Sequence, residues 1–262
     1  MSSYDYEQGI QPLKFPGSAG AFLMTKISGK VLDRSMYVDG GYLERNPEWH
    51  ADESPFKVTQ ILRMLQKNHL KPKTVCEVGC GAGEVLKLLQ EKMDSACHFC
   101  GYDISPQALE ICKSKANQRL RFKLADLSLE DEAFFDMMLV LDVVEHVEDY
   151  YGFLKGLLPK SELKIFHFPL DLSVQAVLRK RGLLTRRELY GHIQYFTKET
   201  ALETLKDVGY RVLDHFYTPR CIELAKQWVQ KIAILPREIC FAVHQDLAVR
   251  ILGGYSLLVL AK

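Results

Sequence analysis

Between Lys73 and Lys164 the chain alternates short apolar runs with longer amphipathic ones. The apolar runs at 75–78, 98–102, 120–124, 135–141 and 163–168 read as strands. The stretches at 82–92, 106–117 and 143–157 read as helices. Met137 to Leu141 is apolar at every position, the pattern of a central parallel strand covered on both faces. Strands separated by helices in this way predict βαβ units and a parallel sheet. Upstream, Ser54-Pro55 starts a helix running to about His69, with Val58, Ile61, Leu62 and Leu65 on one face. Downstream, a helix at 198–207 leads through Gly209-Tyr210 to a strand near Arg211 to Phe216, and Tyr255 to Ala261 forms a final apolar strand.

Three segments lie outside this rhythm. Residues 1–53 are a polar, aromatic-rich lead. An insertion from Pro169 to about Thr197 (169–197) carries R-K-R at 179–181, R-R at 186–187, and then G-H-I-Q-Y-F-T. It follows the fifth strand directly, at the sheet edge where open α/β sheets place their ligands. A second insertion, 218–254, reads as two helices split near Pro236, with Leu224, Trp228, Ile232 and Leu235 as an apolar stripe.

Val75 to Leu86 read V-C-E-V-G-C-G-A-G-E-V-L. A β-prone run ends at Glu77, glycines follow at 79, 81 and 83, and a helix begins. Glycines at such a turn let the backbone reverse sharply and approach a ligand closely. The helix N-terminus beyond them favours negative groups. A dinucleotide fingerprint, G-x-G-x-x-G, would need glycine where Glu84 stands. The second strand ends at Asp103, about twenty residues past the loop, where a carboxylate can accept hydrogen bonds from ribose hydroxyls. Ser105 and Pro106 after it read as a helix cap and first helical residue. The third strand ends at Ala125-Asp126, and the fourth runs into L-D-V-V-E-H-V, Leu141 to Val147.

The acid two residues before G-x-G-x-G, the D-I-S-P after the second strand, and the L-D-V-V-E-H-V string together resemble class I S-adenosylmethionine-dependent methyltransferases, small bacterial-type ones in particular. The resemblance covers roughly residues 54–217 plus the last strand. It implies a Rossmann-like three-layer α/β/α sandwich. The sheet would be seven-stranded and mostly parallel, with an antiparallel last strand beside the fifth and sixth, and would carry helical insertions. It implies one methyltransferase domain, with 1–53 as a cap, 54–217 and 255–262 as core, and the insertions forming the acceptor pocket or its lid. It further implies S-adenosyl-L-methionine as cofactor, held by Glu77, Gly79, Cys80, Gly81 and Gly83, by Asp103 and Ile104 at the ribose, by Asp126 and Leu127 at the adenine, and by Leu141, Asp142 and Val143.

Composition narrows the partners. At 262 residues, with 47% hydrophobic content and a net charge of +1, this is an ordinary globular chain with no general affinity for polyanions. No basic stretch interleaved with stacking aromatics appears, so nucleic acid is not expected. The basic cluster at 179–187 reads as a solvated helix face, or as a seat for an acidic acceptor such as a phosphorylated carrier, an anionic lipid headgroup or an acidic glycan. Seven cysteines without a secretory signal point to reduced thiols and a cytoplasmic protein. No apolar run is long enough to span a membrane, leaving peripheral contact at most. Cys97-x-x-Cys100 has zinc-ligand spacing, but its cysteines and Cys76 fall on or beside strands and Cys80 in the loop, so no metal is expected. The oligomeric state is left open.

Methyl transfer from a sulfonium asks the protein mainly for proximity and in-line geometry, with a general base if the acceptor is a hydroxyl. His146, in the E-H pair, and His192, in G-H, are the catalytic candidates, and His167 stands third. His50, Trp49, Tyr37 and Tyr42 in the lead are placed to cover the cofactor. The chain lacks an N-P-P-Y string after the fourth strand, which by resemblance favours a small-molecule, lipid-linked or glycan acceptor, methylated at oxygen. A NAD-dependent oxidoreductase and a non-catalytic cofactor-binding partner protein are the alternatives.

Overall fold

The computed structural model describes residues 41–46, 49, 51–220 and 234–262. After a short helix α1 (Gly41–Arg45), helix α2 (Ser54–Lys67) leads into β1 (Thr74–Val78), α3 (Glu84–Lys92), β2 (His98–Asp103), α4 (Pro106–Cys112), β3 (Leu120–Leu124) and β4 (Phe135–Leu141). Next come α5 (Tyr150–Leu157), β5 (Ser161–Pro169), α6 (Val174–Leu178), α7 (Gly182–Tyr190), α8 (Lys198–Val208) and β6 (Val212–Thr218). The chain closes with α9 (Ile234–Val243), α10 (Gln245–Leu252) and β7 (Ser256–Ala261).

The seven strands form one sheet in the order β3-β2-β1-β4-β5-β7-β6. The first five strands pair in parallel. β7 lies between β5 and β6 and is antiparallel to both. The fold class is therefore the expected one: a mostly parallel Rossmann-like sheet with helices and an antiparallel last strand. The chain winds outward from β1 to β3 and then crosses back to β4 on the other side of β1. That reversal opens a crevice at the carboxyl ends of β1 and β4, the usual ligand position in such sheets.

Strand β4 shows why the sheet is buried. Met138 and Val140 enter the apolar cluster on one face, with Leu154, Phe166 and Leu205. Met137, Leu139 and Leu141 enter the cluster on the other, with Ile61, Leu86 and Leu89. The side-chain period of two divides an all-apolar strand between two cores.

Two expectations are corrected. The stretch 143–157 is not one helix. It begins as a 3-10 turn, Val144–His146, and α5 starts only after Asp149, whose side chain accepts from Gly152 N–H at 2.8 Å. Val147 is extended (φ −98°, ψ 126°) and ends that turn before α5 begins. The helix expected at 106–117 ends at Cys112 in a 3-10 turn, Lys113–Lys115. In the second insertion, Pro236 sits in the first turn of α9, where no backbone N–H is needed. Among the described residues a break between helices falls at His244, which is extended and caps α10 by accepting from Leu247 N–H, while the residues just before Ile234, where a first helix would meet Pro236, lie outside them.

Of the apolar stripe expected in that insertion, Leu235 is exposed, and Leu224, Trp228 and Ile232 lie outside the described residues. Leu235, Ile239 and Val243 leave an apolar row of α9 exposed. Arg179, Lys180 and Arg181 are exposed, and Arg181 pairs with Glu188. No described helix is long and apolar enough to cross a membrane.

Candidate active site

The three loop glycines all take left-handed backbone: Gly79 at φ 68°, Gly81 at 52° and Gly83 at 73°. Each would strain an L-residue. Space adds a second demand at Gly79, where a Cβ would come within 2.7 Å of Val143 Cγ2, and at Gly83, where it would meet the Phe122 ring at 2.6 Å. The turn after β1 is thus locked against the turn after β4 and against β3. Above Gly81 lies the Trp49 ring, 3.5 Å from where a Cβ would stand. His50 and Tyr37, and the side chain of Tyr42, lie outside the described residues.

Asp103 braces this loop. One carboxylate oxygen accepts from Gly81 N–H and the other from Ser105 N–H, both at 2.8 Å. Burial pushes its carboxyl up against the pull of these N–H groups. Each oxygen keeps lone-pair capacity for a ribose hydroxyl. The cap reading holds as well, since Ser105 Oγ accepts from Ala108 N–H and Pro106 opens α4. Ile104 is partly buried beside it. Cys80 is buried, and Cys112 Sγ lies 3.1 Å from Gly81 O. The described cysteines are free thiols.

Glu77, at the end of β1, is buried, and its Oε2 has no hydrogen-bond partner. Burial pushes its carboxyl up to about 8, against the nearby Lys57 charge. An orphaned buried carboxylate oxygen beside a three-glycine loop is a place prepared for a ligand donor.

Asp126 is turned toward its own backbone, with Oδ1 accepting from Ser128 N–H at 3.0 Å and Ser128 Oγ–H at 2.6 Å. Leu127 is wholly inside the core. Leu141 is buried and Val143 half-buried where β4 meets the loop.

The Asp142 carboxylate lies between two partners that no local pattern in the sequence points to. Lys57 Nζ, from α2, approaches Oδ2 at 2.8 Å, and His167 Nδ1–H, from the end of β5, donates to Oδ1 at 2.6 Å. Burial pushes the Asp142 carboxyl up, but His167 and Lys57 outweigh it and hold it well below the usual range. His167 Nε2 lies 2.9 Å from Thr218 Oγ1. With both ring nitrogens engaged and the residue buried, His167 ties β4, β5 and β6 together.

The two catalytic candidates come together. The His146 and His192 rings are 5.0 Å apart, edge to face. His192 Nδ1 is 2.6 Å from Asp171, and His146 Nδ1 is 3.2 Å from the Gly191 carbonyl oxygen. Both side-chain tethers come from the first insertion, so the 169–197 segment does build one wall here. Beneath the rings lies Glu145, fully buried, with both carboxylate oxygens lacking a hydrogen-bond partner. Glu145 is not legible as a site residue in the sequence, because a polar residue in an expected helix reads as a solvated face.

The glycine loop, the βαβ order and the crevice define a class I S-adenosylmethionine-dependent methyltransferase. A methyltransferase-domain family model matches residues 49–215, and the chain belongs to that family. Among solved structures it is similar to magnesium protoporphyrin IX methyltransferase from Synechocystis PCC 6803 with bound SAH, at 17% identity, covering 87% of this chain and 96% of that one, with a TM-score of 0.59. It is similar to N-methyltransferase NodS from Bradyrhizobium japonicum WM9 in complex with S-adenosyl-l-homocysteine, at 18% identity, covering 84% and 96%, with a TM-score of 0.53. A SAM-dependent methyltransferase from Archaeoglobus fulgidus matches at 19% identity, 82% and 99% coverage, and a TM-score of 0.54. These likenesses establish the fold. No curated protein sequence matches the chain.

Asp103→Ala is expected to weaken S-adenosylhomocysteine binding by about tenfold to a hundredfold, the worth of a hydrogen bond to a charged group. Calorimetry checks this, and unchanged affinity would remove Asp103 from the ribose site.

Proposed function

We propose that this methyltransferase binds S-adenosyl-L-methionine in the β1/β4 crevice and methylates a hydroxyl oxygen of a small-molecule, lipid-linked or glycan acceptor. The observation that carries the cofactor reading is Glu77 Oε2, buried and unpartnered beside three left-handed glycines. The residues present fit the group: Gly79, Gly81 and Gly83 allow close approach, Asp103 keeps acceptor capacity for hydroxyls, and Glu77 waits for a donor. Asp126 stands at the end of β3 for the adenine amino group. When bound, the cofactor supplies a sulfonium-activated methyl group.

The chain's own part is to place the acceptor and manage its proton. His146 and His192 form the adjacent wall. A carbonyl oxygen only accepts, so His146 carries its hydrogen on Nδ1 and a lone pair on Nε2. Asp171, held low by its bond to His192, fixes the same tautomer there. The two rings, 5.0 Å apart edge to face, form a polar wall suited to orienting a hydroxyl. The exposed Arg179, Lys180 and Arg181 of the same insertion suit an acceptor with an acidic group.

The test is calorimetry of the full chain with S-adenosylmethionine, S-adenosylhomocysteine and NAD. Micromolar binding of the two adenosyl compounds without NAD is the expected result. NAD binding alone, or no binding, overturns the reading. Methyl transfer to hydroxylated acceptors would then separate an enzyme from a cofactor-binding partner protein.

A further inference from the structure

We propose that Glu145, His146 and His192 form a site for one divalent transition-metal ion of the zinc class.

From the sequence no metal is expected, and nothing in the spacing suggests one, since His146 and His192 are separated by α5, β5, α6 and α7. The fold brings them together. One ligand atom from each of Glu145, His146 and His192 lies within 4.8 Å of the others. Ligand atoms about 2.1 Å from a tetrahedral zinc stand roughly 3.4 Å apart. Small side-chain rotations close that difference.

An independent observation points to a ligand. Both oxygens of Glu145 are buried and have no hydrogen-bond partner. His146 Nε2 stands 3.9 Å from Oε1, too far for a hydrogen bond. Buried carboxylates are ordinarily paired or bound to metal. The surrounding field also favours a cation. Asp142 and Asp171 both act on Glu145 as negative charges, with Lys57 opposing them from α2. Arg186 approaches Asp171 at 3.5 Å from outside the cluster.

The imidazoles are arranged as metal ligands usually are. Each is tethered through Nδ1, His192 to the Asp171 carboxylate and His146 to the Gly191 carbonyl, and His146 Nε2 lies on the Glu145 side, 3.9 Å from Oε1. A carboxylate or carbonyl behind a ligating histidine fixes its tautomer and raises its basicity. Asp171 is thus a positioning residue. Two imidazoles and one carboxylate suit zinc or its neighbours, whereas magnesium and calcium prefer all-oxygen sets. The side chain of His146 keeps 15% exposure, so the cluster is reachable from one side.

Three protein ligands leave a coordination position open for water or an acceptor oxygen, and a bound ion lowers the pKa of a hydroxyl placed there. That role rests on the oxygen-methylation reading, whereas binding of the ion does not.

The test uses the full chain, stripped with a chelator and free of cofactor. It is titrated with Zn2+ by calorimetry and with Co2+ by visible absorption. One equivalent should bind, and the Co2+ spectrum should show nitrogen and oxygen ligation without a thiolate charge-transfer band. Glu145→Gln and His192→Ala should each lower Zn2+ affinity at least about a hundredfold. Asp171→Asn should lower it about 10–100-fold with the stoichiometry kept. His98→Ala, at an exposed histidine, should leave it unchanged. Circular dichroism of each metal-free variant checks folding, and Glu145→Gln keeps the side-chain shape. No stoichiometric ion on the wild-type protein, a thiolate band, or full affinity in both ligand variants overturns the site. Absent ion binding with intact S-adenosylhomocysteine binding sinks the metal site alone, and the reverse pattern sinks the cofactor reading alone.

Discussion

Asp142→Ala is expected to destabilise the protein by about 3–5 kcal/mol, the cost of breaking a buried ion pair by removing one partner. Three effects add. Lys57 Nζ loses the carboxylate at 2.8 Å that compensates its burial, and that compensation is what raises its pKa above the usual lysine value. His167 loses the acceptor that fixes its Nδ1–H and, through Thr218, ties β5 to β6. Alanine must also adopt φ 55°, which aspartate and asparagine tolerate better because their short polar side chains bond locally. Asp142→Asn separates these effects, because it keeps the shape and the backbone preference and removes the charge. It should cost less than the alanine change, and adding Lys57→Met should recover part of the loss. Denaturant unfolding measures all three proteins. A loss below about 1 kcal/mol for Asp142→Ala would mean that water reaches this cluster and the ion pair is not buried.

Glu77→Gln is expected to do the opposite, stabilising the cofactor-free protein while weakening cofactor binding. The wild-type carboxyl is held up to about 8 in the fold by burial, with Lys57 opposing and Cys112 and Asp103 assisting. In the unfolded chain it titrates near the ordinary glutamate value. Between those two pH values the folded state holds a proton that the unfolded state has released, so stability falls as pH rises through this window and levels off above about 8. At pH 7 the penalty is about 3 kcal/mol, since each pH step of one between the two titrations costs about 1.36 kcal/mol. Glutamine removes the ionisation and should flatten this part of the profile. Glutamine cannot become the carboxylate that a donor on the bound cofactor would stabilise, which should weaken S-adenosylmethionine by about tenfold to a hundredfold. Unfolding midpoints from pH 5 to 8 and calorimetry read the two effects. A variant no more stable than wild type at pH 7 would contradict the buried charge. Unchanged affinity would mean that the orphaned oxygen does not face the ligand.

Much of the cofactor side is legible along the chain because its signals are local. A glycine that must turn left-handed after a strand, a serine that caps the next helix, and a strand apolar at every position each depend on a few neighbouring residues. The strands at 120–124 and 135–141 fall where the pattern places them, and in the second alternation between two cores leaves no freedom. The stretch after β4 departs from its pattern, because L-D-V-V-E-H-V has the amphipathic look of a helix. What interrupts it is Val147, extended at φ −98° and ψ 126°, after which α5 starts afresh behind the Asp149 cap.

The sequence by itself therefore determined the sheet, the glycine turn and the family, since periodicity, turn chemistry and spacing are properties of short windows. Only the tertiary structure decided what the acids and histidines do. Asp103 braces the loop through Gly81 and Ser105 N–H, and His167 ties Asp142 to Thr218. Glu145, an ordinary polar position in the sequence, is the most deeply buried acid at the site. Burial and pairing set the charge state of such groups, and both come from residues that meet only when β4, β5 and the first insertion pack together.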